Sequence, residues 1–195
     1  MSKDLIRVTL RSIFLMLCIY GLTPLSEHPR QKNFPHAFTS HGYVFLTNIS
    51  VGYAIMSSCL GIVYRISKWP FSLFNLSLAT SSSISMFVSF FFWLFFFYDR
   101  KLLENPKQLA NNCATPLFTN ICTHLAPFLL TLVEQWDIRL KRSKAHIFFL
   151  LVFDILYFCV IILCKNITGK YPYPFMRHLN MPLLILFFMG MATLK

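Results

Sequence analysis

The sequence predicts an all-α fold: a polytopic membrane helix bundle of about six transmembrane helices, the last one short, in a single integral membrane domain over residues 1–195. Three observations predict it. Hydrophobic residues make up 56% of the chain and charged residues only 13%, where soluble domains are about a quarter charged. Twenty-two phenylalanines are more apolar surface than a soluble chain this short can hide, and the bilayer is the solvent that accepts them. The apolar residues also fall into runs near 8–25, 44–63, 76–97, 115–133, 147–164 and 181–194. In hydrocarbon every backbone group needs an internal partner, so such runs are helices.

The first run follows Lys3, Arg7 and Arg11 and resembles a signal peptide, but "GLTPLSEHP" offers no small-x-small cleavage site, so a retained helix is expected. The loop after it is polar and holds Pro24, Pro29 and Pro35. Its histidines, His28, His36 and His41, lack zinc spacing and read as solvated. The second run carries Thr47, Ser50, Val51, Ala54, Ser58 and Gly61 on one helical face. Such a small-residue stripe lets two membrane helices approach closely. The third ends in "FFFWLFFFYDR", where Asp99 and Arg100 are expected to pair at the interface. The fifth buries a carboxylate, Asp154. The first five runs are close to the ~20 residues that cross a bilayer core. The sixth falls short of that and needs a thinner bilayer.

Net charge is +11. No basic patch interleaved with stacking aromatics occurs, so nucleic acid is not an expected partner. The basic residues lie between apolar runs, where they meet headgroups and set orientation. The side holding both termini and the second and fourth loops, the latter "EQWDIRLKRSK", carries ten Lys and Arg against eight on the side of the first, third and fifth loops. Both termini are therefore expected in the cytosol. The six cysteines form no CxxC pair and read as buried thiols, so no metal or other cofactor is expected. Sequons at Asn48, Asn75 and Asn166 fall in or near spans, which disfavours glycosylation.

The fourth run contains "TNICTHLAPFLL". On a helix, His124 shares its face with Asn120 and Thr131, and an intramembrane ionisable group is a functional candidate. Pro127 cannot donate to the carbonyl of Thr123, so the helix should deform within a turn of the histidine. Imidazole is the side chain suited to take a proton near neutral pH. Thr47 and His124 both enter from the same side of the membrane, and a hydroxyl beside an imidazole can act as nucleophile and base. A packing threonine and a helix-bridging histidine would give the same residues without chemistry.

"FLTNI", the N-x3-H-x9-E pattern of Asn120, His124 and Glu134, "YDR" at Tyr98–Arg100 and "TG-x3-YPF" from Thr168 to Phe175 resemble, in order and spacing, the androgen-induced protein family. The resemblance implies a multi-pass membrane threonine hydrolase of fatty acid esters of hydroxy fatty acids. The family's threonine falls on Thr47 and its histidine on His124. The last helix here looks truncated against the family's, and the proline after the histidine sits closer. An acyl-threonine mechanism needs a donor for the developing oxyanion, for which Asn48, Asn120 and Tyr173 are candidates. A lipid ester would arrive sideways from the bilayer. Short, phenylalanine-rich spans suit the endoplasmic reticulum membrane. A non-catalytic lipid-binding or scaffold protein is the alternative, and a small transporter relaying protons through His124 and Asp154 is a third reading.

Overall fold

The structure is a computed structural model and describes residues 3–23, 45–67, 71–104, 114–136, 138, 140 and 144–193. The first-loop prolines and histidines, Cys113 and most of the fourth loop's basic residues lie outside these. Among the described residues there are helices and no strand. The chain forms α1 (Lys3–Leu22), α2 (Leu46–Ser67), α3 (Phe71–Tyr98), α4 (Leu117–Gln135), α5 (Lys144–Thr168) and α6 (Met181–Thr193). Five are long and apolar enough to cross a membrane. α6 has 13 residues and, at ~1.5 Å per residue, reaches only about 20 Å, as its short apolar run predicts.

Local chemistry ends these helices where they end. Gly169 follows α5 with φ +70 and returns its N–H to Lys165 O at 2.8 Å, the left-handed stop that glycine adopts without a Cβ clash. Asn180 precedes α6 and accepts from Leu183 N–H at 3.1 Å, satisfying one orphan amide. The first amides of α2 are taken by phenols from elsewhere in the chain. Leu46 N–H donates to Tyr157 Oη of α5 at 2.9 Å, and Thr47 N–H to Tyr173 Oη at 3.4 Å. The start of α2 is thus fixed by tertiary contacts.

α4 is irregular where the sequence puts Pro127. Residues Ile121–Leu125 form a π turn, with Ala126 N–H bonded to Ile121 O. A proline that cannot donate leaves the ladder ahead of it to re-register, and the wider i→i+5 turn absorbs the mismatch. His124 lies inside that turn.

Two apolar clusters hold the bundle. One joins α3, α5, α6 and the segment before α6 through Ile84, Phe87, Tyr157, Ile161, Phe175 and Leu184. The other joins α1, α2 and α4 through Cys18, Val51, Ala54, Ala126 and Leu130. The small-residue face of α2 is buried as expected, and Ser50 and Ser85 of α3 share a hydrogen bond of 3.1 Å.

Two charge assignments change. Arg11 and Arg65 are not headgroup-facing cations: both turn inward to Glu134, which is 1% exposed. Arg11 Nε meets Oε1 at 2.6 Å, Arg65 Nη1 meets Oε2 at 2.9 Å, and Ser58 donates to Oε1 at 2.7 Å. A buried carboxylate needs such partners, and the bare Gly61 makes room: a Cβ there would stand 2.9 Å from Arg65 and 3.0 Å from Glu134. Asp99 and Arg100 do not pair either. Asp99 caps the short 3-10 helix Arg100–Leu102 by accepting from Lys101 N–H, while Arg100 reaches Glu104 at 3.0 Å. Each partner is thus satisfied elsewhere: the carboxylate by an orphan amide, the guanidinium by a carboxylate one turn on.

Candidate active site

Thr47 is the second residue of α2 and is 9% exposed. His124 projects from the π turn of α4. Its ring stacks flat on Phe92 of α3, with centroids 3.4 Å apart and planes 7° from parallel. Its Nδ1 is buried and has no hydrogen-bond partner among the described residues. Thr47, His124 and Tyr173 all line the same two cavities.

The cavities differ in character. The larger, about 280 Å³, is the more polar: Asn48, Glu104, Thr115, Thr119 and Asn120 line it together with Thr47, His124 and Tyr173. The smaller, about 50 Å³, is aromatic and walled by Phe87, Phe91, Phe95, Phe175 and Phe187. A hydroxyl, an imidazole and a phenol therefore stand where an oily space meets a wet one.

The candidates for site support divide. Tyr173 belongs to both cavities, and its phenol is bonded by Thr47. Burial raises that phenol above its ordinary value of 10.0, although the bonds from Thr47 and Tyr157 pull the other way. It therefore keeps its proton and can donate. Asn48 lines the larger cavity. Asn120 is buried there, its Nδ2 donating to Thr115 O at 3.5 Å. Thr131, expected from the sequence on the face of His124, bonds its own helix at Phe128 O and lines neither cavity. Asp154 is buried on α5 and lines neither cavity.

The quoted motifs acquire physical reasons. "TG-x3-YPF" ends α5 at Gly169, sends Tyr173 to Thr47 and puts Phe175 in the smaller cavity. "YDR" caps the turn that carries Glu104 to the larger cavity. The N-x3-H-x9-E pattern sets Asn120 and His124 at the cavity, and Glu134 at the charge cluster below. Sequence reasoning missed Glu104, Phe92 and the pairing of Glu134 with Arg11 and Arg65. A signal for the last existed: Arg11 lies eight residues into an apolar helix, a depth at which charges are normally paired.

These features define a class: a polytopic membrane helix bundle with a polar cavity opening beside an aromatic one. Residues 7–194 match the family model described as FAR-17a/AIG1-like protein, so the chain belongs to the FAR-17a/AIG1-like family. This bears out the resemblance carried by the motifs. The chain is also similar to the Androgen-induced gene 1 protein of Homo sapiens, 26% identical over 111 residues. That stretch is 57% of this chain and 46% of that protein, so the match spans under half of the relative's length. No solved structure matches.

Proposed function

We propose that this protein hydrolyses lipid esters within the membrane, fatty acid esters of hydroxy fatty acids being the substrate class, with Thr47 as nucleophile and His124 as general base. One observation carries the reading: the two side chains border the same polar and apolar cavities. His124 takes the proton of Thr47 Oγ1 as that oxygen attacks the ester carbonyl carbon. The tetrahedral intermediate collapses, and the imidazolium returns the proton to the departing alkoxide. Water, deprotonated by His124, then attacks the acyl-threonine, releases the fatty acid and restores the hydroxyl. Tyr173 Oη is the best-placed donor for the oxyanion, with Asn120 and Asn48 on the polar side. The substrate enters from the bilayer. The reading includes an endoplasmic reticulum membrane and cytosolic termini.

The non-catalytic alternative, a lipid-binding or scaffold protein, has one observation in its favour. The flat stack of His124 on Phe92 is packing that a purely structural histidine would also make. A fluorophosphonate probe separates the two. Labelling and ester turnover should be lost in Thr47→Ala and in His124→Ala, each by about a hundredfold or more, and partly kept in Thr47→Ser. Equal labelling in wild type and both alanine variants, with all three folded, rules the enzyme out.

A further inference from the structure

The smaller cavity cannot contain a fatty acyl chain. At about 50 Å³ it holds a few water-sized groups. A long chain bound with its ester at Thr47 and its acyl side in this cavity must therefore extend beyond it, and the walls show a route. Behind the site Phe87 and Phe175 are buried, at 2% and 8% exposure. Three rings of the wall, Phe95 and Phe91 of α3 and Phe187 of α6, are only half-buried, and the last two meet between the helices. Their ring centroids lie 4.7 Å apart in an edge-on contact. Flanking them, Phe90 and Leu94 on α3 and Leu186 on α6 are exposed. The Phe91–Phe187 pair is thus the part of the cavity's half-buried rim that bridges α3 and α6, the shortest of the six helices.

We propose that the acyl chain of the substrate lies in the seam between α3 and α6, passing the Phe91–Phe187 pair into the bilayer, and that these two rings select acyl chains by length. This rests on the Thr47–His124 hydrolase reading. A short acyl group fits behind the rings without disturbing them. A long one must displace both, at the cost of their mutual contact and their packing on Phe87, whose centroid lies 4.5 Å from Phe91 and 5.0 Å from Phe187. The alcohol part then occupies the larger cavity, where Glu104 and the asparagines supply polar partners.

The test uses the full chain in lipid nanodiscs and nitrophenyl esters of acetate, butyrate, octanoate and palmitate. The quantity read is the ratio of kcat/KM for palmitate to that for acetate. Phe91→Leu and Phe187→Leu, which remove a ring but keep the site apolar, should raise the ratio about tenfold, and Phe91→Trp and Phe187→Trp should lower it about tenfold. General damage lowers both rates together and leaves the ratio where it was. An unmoved ratio in all four variants, with active wild type, overturns the seam while sparing the hydrolase. Wild type that turns over no ester and takes no fluorophosphonate label overturns both.

Discussion

Tyr173 does two jobs with one hydroxyl. It accepts from the main-chain amide of Thr47 at 3.4 Å and stands beside that residue in both cavities. Because burial lifts its phenol above 10.0, the O–H persists across the physiological range and remains a donor. On the hydrolase reading, with Tyr173 as the oxyanion donor, Tyr173→Phe is expected to lower kcat about ten- to a hundredfold with little change in KM. The fold should lose about 1–3 kcal/mol, because the Thr47 amide is left without its partner. Steady-state kinetics on a soluble ester, with thermal unfolding as control, check both numbers. The pH profile sharpens the point. A group with a raised value loses its proton only above its ordinary value, so wild type and Tyr173→Phe should have profiles of the same shape up to pH 10. A falling limb near neutrality present only in wild type would contradict a protonated phenol.

At the scale of elements, the π turn of α4 aims His124. Continuous α geometry would advance each residue by about 100°, so the extra residue in the Ile121–Leu125 turn re-aims everything before it relative to Ala126–Gln135. On the hydrolase reading, the direction in which the imidazole faces the cavities it shares with Thr47 therefore depends on Pro127. Restoring an N–H with Pro127→Ala should let the ladder become regular. Proline inside a helix costs about 3 kcal/mol, so the melting temperature should hold or rise. Turnover should nonetheless fall about tenfold or more, because a displacement near 1 Å at reacting groups costs that much. Turnover kept at the wild-type rate would show that the turn is incidental.

Over the whole molecule, α1 is tied to the bundle by charge as well as by packing. Glu134 of α4 holds Arg11 of α1 and Arg65 of α2 at once, with Ser58 on the same oxygen as Arg11. Removing one member of a buried pair strands the rest, at about 3–5 kcal/mol. Glu134→Gln should therefore lower thermal stability in detergent strongly. The double variant Arg11→Gln, Glu134→Gln should lose less than the two single losses added, since the residues act as one network. Additive losses would mean that the cluster is two independent contacts.

Much of this protein is legible from the sequence alone, because its physical causes are local. Apolar run length marks the spans, including the short α6, and Pro127 marks the irregular turn. The small-residue face of α2 is periodic and so readable as buried. Thr47 and His124 stand out by residue type and by motif spacing. What required the tertiary structure is every relation between helices. That Arg11 and Arg65 turn inward to Glu134, that Phe92 lies flat on the imidazole, that Glu104 reaches the cavity and that Asp99 caps instead of pairing all depend on which faces meet. Charge and aromaticity are visible along a chain, but their partners are chosen by helix rotation and depth, and those follow from packing the bundle as a whole.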